Sequence, residues 1–409
     1  MSVQQQRMAA VGQVSPIRAR DTDLTTQGAK PMDDAQLTHT EAPHGLLLDR
    51  YRALPGGQRQ REAAAALGVS EGALVAAFAT ASSDRAGVPR VRPLRSDWDA
   101  LMGALPSLGE VMALTRNAHA VIEKEGVYGG YERFGLMANV IGQVIDLRLF
   151  LRAWHAAFAV EQVTGRGINP SIQVFNRAGE AVHKIFVGVG KDTAPFEALV
   201  AQLAASASEM PTFETPASDA PREGSAHGTP APASTHETAE PETSALLKRA
   251  SLLDAWSTLK DTHDFFPMIH RLKLDRYAAV RLAEGIYTRQ VARDAYASVL
   301  EGAAAQGLSI MVFVSSGGVV EIHTGPVEKV KRLGTWFNVM DKGFNLHLDE
   351  QGIHASWVVT KPTVDGDVTS LEVYDAAGEL VVQFFGERKP GRPESEPWRA
   401  LLATLAAAH

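Results

Sequence analysis

A period-two alternation of apolar and polar residues marks the later part of each half of the chain, and this alternation is typical of half-buried β-strands. The clearest examples are the segments 171–175 (SIQVF) and 370–374 (SLEVY), which lie 199 residues apart. Each is followed by polar turn residues that end in a glycine, Gly179 or Gly378. Turns of this kind between two strands predict β-hairpins.

The same offset of 199 residues recurs well away from these hairpins. It relates Gly126 to Gly325, Gly135 to Gly334 and Asn139 to Asn338. A register kept across several loops indicates two copies of one domain. A cleft shared by two copies is a common place for a ligand. Positions at which the copies differ point to the site, because the common fold does not explain the difference.

Helical periodicity precedes the strands in each half. In the first half we predict helices at 61–66, 71–80 and 98–105 and strands at 110–116, 120–125, 147–150, 172–176 and 181–187. In the second half we predict helices at 245–258 and 276–284 and strands at 310–315, 319–324, 344–349, 355–360, 369–375 and 380–386. Hairpins that follow helices favour antiparallel sheets with helices to one side. We therefore predict an α+β fold of two tandem repeats, each a mostly antiparallel β-sheet with flanking helices.

Local composition divides the chain into four parts. Residues 1–43 are polar, and residues 207–244 are rich in Pro, Ala, Ser, Thr and Glu. We predict that the first of these segments is a disordered N-terminal tail and the second a disordered linker. The first repeat is predicted at 44–206 and the second at 245–409.

The overall composition is ordinary for a soluble protein. The 409 residues are 45% hydrophobic and 21% charged, and the net charge is −7, so a broad nucleic-acid-binding surface is not expected. No apolar run reaches transmembrane length, and the first residues lack the apolar core of a signal peptide. Cysteine is absent, which excludes disulfides and thiolate metal ligands. We expect a cytoplasmic protein without a membrane span.

The segment 67–74 (LGVSEGAL) resembles the turn of a helix-turn-helix. The negative net charge disfavours DNA binding. A comparable helix pair is predicted at 276–297, so a helical hairpin that belongs to each repeat explains the segment without DNA.

The sequence lacks the GxGxxG, Walker, HExxH and GxSxG motifs, which leaves histidines as the candidate reagents. His263 is the most suggestive, because acidic residues flank it, two phenylalanines follow it and Pro267 interrupts the helix there. Asp264 or a backbone carbonyl could hold one imidazole nitrogen and leave the other free as a ligand. On the pattern alone, a structural or capping histidine is the favoured explanation.

Several ordered segments resemble the bacterial haem-utilisation proteins of the HmuS/HemS type, also called haemin-degrading factors. They are DLRLFL (146–151), SIQVF (171–175), DTHDFF (261–266), IMVFV (310–314), TGPVEK (324–329) and KPTVDG (361–366) with TSLE (369–372). The resemblance covers about residues 45–205 and 245–405. It implies two tandem repeats that bind one haem in a cleft between them, in a cytoplasmic protein that acts after haem import.

The resemblance also implies roles for individual residues. His263 would be the axial ligand of haem iron, and Arg148 would be a catalytic hydrogen-bond donor over the opposite face of the haem. The remaining haem-binding residues would be polar groups around the propionates (Arg276, Lys361, Gln383 and Arg388) and an apolar wall (Met311, Phe313 and Phe385). Phe385 stands where family members carry tyrosine, so one hydroxyl is missing here.

The sequence leaves alternatives open for these residues. A surface ion pair with Asp146 or Glu161 also explains Arg148, and ordinary sheet core explains the apolar wall. His183 is a rival iron ligand, although a strand histidine that faces solvent is the simpler explanation.

Two functions share these motifs. As an enzyme, the protein would degrade haem and release iron, with electrons from an external donor. As a non-enzymatic chaperone, it would pass imported haem to a separate haem oxygenase. Its partners would be haem and the cytoplasmic face of a haem ABC importer or a haem oxygenase, and no nucleic acid is expected.

Overall fold

A computed structural model describes residues 42–56, 58–81, 87–206, 209–214, 242–388 and 391–408. The predicted tail (1–43) lies outside these residues except for 42 and 43. The predicted linker (207–244) lies outside them except for 209–214 and 242–244. The disorder predicted for both segments therefore stays a prediction.

The described residues contain ten α-helices, several of them short. They are α1 (Ala42–Arg52), α2 (Gln60–Leu67), α3 (Glu71–Ala79), α4 (Trp98–Ala104), α5 (Ala194–Leu203), α6 (Glu242–Ser257), α7 (Phe265–Arg271), α8 (Arg276–Leu282), α9 (Ala295–Gln306) and α10 (Glu396–Ala403). Three 3₁₀ turns supplement them, at Leu105–Leu108, Leu151–Ala153 and Thr262–Asp264.

Eighteen strands lie between these helices. In the first half they are β1 (Arg90–Leu94), β2 (Glu110–Arg116), β3 (Ala120–Val127), β4 (Tyr131–Phe134), β5 (Met137–Ile141), β6 (Asp146–Phe150), β7 (Ala156–Thr164), β8 (Gly167–Phe175) and β9 (Ala181–Phe186). In the second half they are β10 (Thr288–Val291), β11 (Ile310–Ser315), β12 (Val319–Gly325), β13 (Val330–Leu333), β14 (Trp336–Asp341), β15 (Phe344–Asp349), β16 (Ala355–Lys361), β17 (Val368–Tyr374) and β18 (Leu380–Gly386). Strands β2–β9 match β11–β18 one for one, which bears out the tandem repeat.

The chain divides into two compact units, which are described separately. Among the described residues, unit 1 comprises 112–150 and 242–408, and unit 2 comprises 42–111 and 151–214. Unit 1 contains a nine-stranded sheet in the order β10–β16–β17–β18–β11–β12–β6–β5–β4, together with neighbouring strands in the order β2–β3–β15–β14–β13. In unit 2 the order is β1–β7–β8–β9. These units cut across the predicted repeats, because 112–150 belong to unit 1, so the boundaries 44–206 and 245–409 stay a prediction.

Within unit 1 the two repeats exchange strands reciprocally. Strand β6 of the first repeat pairs with β12 of the second, with Leu147 opposite Glu321. Strand β15 of the second repeat pairs with β3 of the first, with Leu346 opposite Ile122. The two pairs are equivalent at the offset of 199 residues. The nine-stranded sheet therefore combines strands of both repeats.

The apolar faces of these sheets form the cores. In unit 1, helices α9 and α10 cover one face of the nine-stranded sheet through residues such as Leu300 and Trp398. Helices α6, α7 and α8 cover part of the opposite face, where Trp256 and Phe265 pack on Trp357. In unit 2, α1, α2 and α3 pack on β7 and β8. The predicted α+β class, with mostly antiparallel sheets and flanking helices, is confirmed.

The helix pair α2–α3 carries the segment that resembles a helix-turn-helix. Its second helix begins against the β8–β9 turn, where Gly72 donates its backbone N–H to Gly179 O over 2.8 Å. Glu71, the first residue of α3, is buried and bound to Lys184. Base contacts in such motifs come from the N-terminal part of the second helix, and here that part is packed inside unit 2. The helix pair predicted at 276–297 is wrong, because β10 separates α8 from α9; the counterpart of α2–α3 is α7–α8.

No single helix of the described chain has both the length and the apolar character needed to cross a membrane, although α2 and α3, bent by 98° at their break, pass that test as a pair.

Candidate functional site

One face of the nine-stranded sheet in unit 1 gathers most of the predicted site residues. Because side chains two residues apart share a face, the register Glu372–Gln383–Phe313–Ile322 places these four in one cross-strand row. The next row along contains Phe385 and Met311. Arg148 of β6 lies opposite Val320 of β12 and therefore on the same face. We call this surface the site face.

His263 lies in the 3₁₀ turn between α6 and α7. The sequence starts a turn here because Asp261 has extended backbone and its side chain accepts the N–H of His263 over 2.9 Å. Asp264 completes a capping box by accepting the N–H of Asp261 over 3.0 Å. The turn therefore rests on two carboxylates, and it sets the direction of the imidazole between them.

The two nitrogens of the His263 imidazole differ in their contacts with the described residues. Nδ1 contacts Asp261 Oδ1, whereas Nε2 is buried and has no hydrogen-bond partner among the described residues. Burial raises the pKa of Asp261, but hydrogen bonds from His263 outweigh it and the pKa is lowered. The expectation that Asp264 holds the ring is wrong, since Asp264 caps the turn and Asp261 holds the ring.

A buried charge cluster lies beside this turn, centred on Glu372 of β17. Arg276, at the start of α8, donates from Nε and Nη2 to the two carboxylate oxygens of Glu372 over 2.9 and 2.6 Å. Lys361 Nζ and Gln383 Nε2 each donate to Oε1 over 3.1 Å. Three of the residues predicted to line the propionates therefore bind a carboxylate that belongs to the protein.

Two aromatic rings of α7 pack against this cluster. Arg276 lies over the rings of Phe265 and Phe266, with its Cζ 5.6 and 5.3 Å from the ring centroids. Lys361 Nζ lies 4.6 Å from the centroid of Phe265. Since Phe265 follows His263 by two residues, cation–π contacts tie the histidine turn to the sheet through the cluster.

Burial and charge together set the protonation of the cluster. Burial lowers the pKa of Lys361 to about 8, although Glu372 opposes the shift. The pKa of Glu372 is held well below its usual range, because the attraction of Arg276 and Lys361 exceeds the penalty of burial. The pKa of Arg276 is raised by Glu372 against the effect of burial. At neutral pH, Glu372 is therefore ionised and paired.

An apolar patch forms the middle of the site face. Phe313 and Phe385 pack edge to face with centroids 5.2 Å apart, and Val320, Ile322 and Val368 join them in one cluster, with Met311 at its border. This places the predicted apolar wall, Met311, Phe313 and Phe385, in one continuous patch between the charge cluster and Arg148.

Arg148 closes the other end of the site face, and its side chain is 8% exposed. Its Nη1 contacts Asp146 and donates to Leu147 O over 3.1 Å. Nε has no hydrogen-bond partner within the described part of the chain. The ion pair with Asp146 is present, with Arg148 buried and Asp146 partly exposed, and Glu161 is paired with Arg90 and Arg92. Three strand spacings separate β18 from β6, about 14 Å.

Arg388 follows β18 and is the last of the predicted haem-binding residues. It lies on the side of His263. Burial lowers its pKa, although the charges of Glu394, Asp261 and Asp365 oppose the shift. Its Nε is buried and lacks a hydrogen-bond partner in the described ranges. Arg388 is thus a cation near the carboxylate that orients His263.

The structure corrects the prediction for His183 and adds two residues that the sequence did not single out. His183 is buried in β9 of unit 2, so the expectation that it faces solvent is wrong. Asp261 and Glu372 were not singled out. The spacing of Asp261 two residues before His263 is a signal for an Asx turn, and Glu372 is an acid at an inward position of a strand, where its repeat counterpart is Gln173.

Comparisons with known proteins show the family of this chain. The haemin-degrading HemS.ChuX domain family matches residues 68–203 and 273–405. The chain belongs to this family. It is 36% identical over 350 residues to the hemin transport protein HmuS of Yersinia pestis, which covers 85% of this chain and 93% of that protein.

Two solved structures share the whole fold. The chain is 40% identical to holo-PhuS, a heme-binding protein of Pseudomonas aeruginosa, with a TM-score of 0.76 over 90% of this chain and 100% of that one. It is 30% identical to ChuS, an E. coli heme oxygenase, with a TM-score of 0.73 over 88% and 99%. The sequence-based recognition of the family is confirmed.

A separate cavity lies beside α6, α7 and the 3₁₀ turn between them. Its volume is about 480 Å³, and Ala255, Asp264 and His270 are among the residues that line it. No predicted site residue lines it, so it is distinct from the site face.

Proposed function

We propose that this protein binds one haem on the site face in haem utilisation, with His263 as the axial ligand of iron, and that it degrades the haem to release the iron. The observation that carries the proposal is the buried Nε2 of His263, which has no hydrogen-bond partner among the described residues while Asp261 holds Nδ1. A neutral imidazole whose other nitrogen is fixed by a carboxylate is a common ligand of haem iron.

The rest of the site face suits a porphyrin as substrate. The patch around Phe313 and Phe385 is buried and apolar, as a porphyrin ring requires. Phe313 lies opposite Gln383 of the charge cluster. Arg388 has a buried Nε without a hydrogen-bond partner among the residues that the structure describes, and it would pair with a propionate. Arg276, Lys361 and Gln383 already bind Glu372. Their main role would therefore be to stabilise the protein structure around the propionates.

Arg148 would supply a fixed cation at the far end of the face. A guanidinium keeps its charge at all physiological pH values and donates hydrogen bonds. Its ion pair with Asp146 fixes the orientation of the group, and its Nε, which has no hydrogen-bond partner in the described ranges, would donate to a ligand. Arg148 would therefore orient the substrate side that faces away from His263, which is the role expected of a catalytic residue here.

The relatives support haem as ligand and both possible uses of it. PhuS is described as heme-binding, HmuS as a hemin transport protein and ChuS as a heme oxygenase. The second candidate function is a haem chaperone, which is favoured by the 36% identity to a hemin transport protein over 93% of the length of that protein. Such a chaperone would work in the cytoplasm, between a haem ABC importer and a separate haem oxygenase.

The axial ligand is tested by haem titration of His263→Ala. The matched control is His270→Ala, seven residues later on α7 and exposed. We expect the control to keep the Soret band and the affinity of the wild type. His263→Ala should shift the Soret band and weaken binding at least tenfold. Equal spectra and affinities for the two variants would remove His263 as ligand.

Degradation is tested with the haem-loaded protein, a chemical reductant as external electron donor, and catalase to remove free peroxide. A tetrapyrrole cleavage product that still forms with catalase, identified by mass spectrometry, supports the enzyme. Loss of colour only without catalase supports the chaperone.

Arg148→Ala tests the catalytic role within the same assay. We expect turnover to fall at least tenfold while most of the haem affinity remains, because Arg148 lies on a strand that is not next to His263, the proposed iron ligand. Arg152→Ala, an exposed neighbour in sequence, is the control and should keep wild-type turnover. Unchanged turnover in Arg148→Ala would exclude it from the mechanism.

A further inference from the structure

A second buried polar cluster lies in unit 1, apart from the site face, where equivalent positions of the two repeats meet. Lys124 of β3 and His323 of β12 are 199 residues apart, and Lys124 Nζ lies 3.4 Å from His323 Nδ1. Both side chains are buried. The strand exchange is reciprocal around this contact, since Leu147 opposite Glu321 matches Leu346 opposite Ile122. A local two-fold axis therefore passes between Lys124 and His323.

The side chains on this axis are not the same in the two repeats. Glu321 is fully buried at the position where the first repeat has Ile122, and it interacts electrostatically with Lys124. His323 stacks on Phe344, with ring centroids 3.6 Å apart and planes at 8°. One repeat thus brings the cation, and the other brings the acid and a neutral ring.

The same interface would behave differently between two like repeats. Two first repeats would oppose Lys124 to Lys124, with Ile122 and no acid at the position of Glu321. Two second repeats would bring two Glu321 carboxyl groups and two His323 rings together without a lysine. Two buried ammonium groups without a counter-ion are strongly unfavourable, and buried carboxyl groups lose a favourable partner when no lysine is near them. Pairing of a first with a second repeat is therefore the combination that places the cation of Lys124 beside an acid.

We propose that Lys124, Glu321 and His323 form a specificity device that lets each repeat pair with its unlike partner and disfavours an interface with the same repeat of a second copy of this chain. Buried polar groups that select one partner or register are known in other folds. The inference does not depend on haem binding, because the cluster faces away from the site face: Glu321 alternates with Val320 and Ile322 along β12.

The test uses the full chain and makes the axis apolar in both repeats with the triple variant Lys124→Leu/Glu321→Ile/His323→Leu. Wild type and variant are unfolded in urea and refolded at several chain concentrations, and their masses are measured by size exclusion with light scattering. We expect the wild type to return to the mass of protein that was never unfolded. The variant should form extra oligomers, several-fold above wild type, in a fraction that rises with concentration.

The control is Glu328→Ile/Lys329→Leu, which makes matching substitutions at exposed positions of the same unit. Extra oligomers only in the axis variant support the proposal. Equal oligomer fractions in the axis variant and the wild type overturn it, and so do equal fractions in the axis variant and the control.

Should the triple variant fail to fold, His323→Lys gives an independent result. It opposes two ammonium groups at the axis, as a like pair of first repeats would. We expect its urea midpoint to fall well below that of His323→Gln, which keeps the site neutral. Equal midpoints for the two variants would overturn the proposal.

Discussion

Asp261 determines which nitrogen of His263 is available to a ligand. Its carboxylate contacts both the backbone N–H and Nδ1 of the same histidine, so the turn and the ring orientation depend on one side chain. The Nε2 atom is then directed away from the carboxylate and stays buried. Carboxylates that orient a ligating histidine are a recurrent feature of metal sites.

The first prediction concerns this carboxylate. Asp261→Ala should weaken haem binding about 10- to 100-fold, the usual effect of losing such an orienting group, while His263 remains present. The readout is a haem titration that follows the Soret band. Asp254→Ala, an exposed change on α6, is the control. Wild-type affinity in Asp261→Ala would show that the carboxylate does not support the ligand.

The second prediction concerns Glu372, which balances two buried cations. Glu372→Gln should lower the free energy of unfolding by about 3–5 kcal/mol, since it leaves Arg276 and Lys361 without their counter-ion. Urea unfolding measures the change. Glu301→Gln, whose pair with Arg332 is exposed, should change the free energy by less than about 1 kcal/mol. Similar losses in both variants would contradict a buried charge cluster.

Most side chains predicted from the sequence for the site lie on one sheet face, whereas several of their partners were not predicted. His263 stood out because of its acidic neighbours and Pro267. The choice between Asp261 and Asp264 depends on the 3₁₀ geometry of the turn, which the pattern alone does not specify. Glu372 was not predicted as a site residue. Its partner Arg276 is 96 residues away along the chain, so only the structure explains an acid inside this strand.

At the scale of elements, strands with a strict period of two were predicted closely. The strands predicted at 110–116, 310–315, 344–349 and 380–386 agree with β2, β11, β15 and β18. Strands β4 and β13 were missed, because they are four residues long and mostly exposed, which leaves no apolar alternation. The exchange of β6 and β15 between repeats could not be predicted, since either repeat offers an equally good partner edge.

The third prediction concerns the pH dependence of the packing of β12 against β3. Burial raises the pKa of Glu321 from 4.5 to about 8, against hydrogen bonding from Thr115 and the charge of Lys124, and with Glu123 adding to the rise. The stability from this group is therefore fully present below pH 4.5 and is lost as the pH rises through 8. The advantage of wild type over Glu321→Gln should fall across this window in urea unfolding. A constant difference would contradict it.

The fourth prediction is the opposite slope for His323 on the same strand. Burial, with the charge of Lys124, lowers its pKa from 6.5 to about 3. A histidine kept neutral by the fold stabilises it above pH 6.5, and this stability is lost as the pH falls toward 3. Relative to His323→Gln, the wild type should therefore lose stability on acidification over that range. A gain on acidification would show that the ring is charged in the folded protein.

At the scale of the whole molecule, the duplication supplies a site face that one repeat could not build. Arg148 comes from the first repeat on the exchanged strand β6, whereas His263, Glu372 and the aromatic patch come from the second. The repeat could be predicted from the sequence because the offset of 199 residues survives in strands and turns, and the family because ordered segments such as DTHDFF (261–266) resemble it. The contribution of β6 to the sheet of the second repeat required the structure, because strand pairing across the repeats is not local.

A crystal structure of the full chain loaded with haem would show whether the imidazole held by Asp261 binds the iron. We expect His263 Nε2 at about 2 Å from the iron, a usual length for a bond between a transition metal and an imidazole nitrogen, with the porphyrin on the patch of Phe313 and Phe385. Iron bound by a different residue, or a porphyrin seated away from the site face, would contradict it.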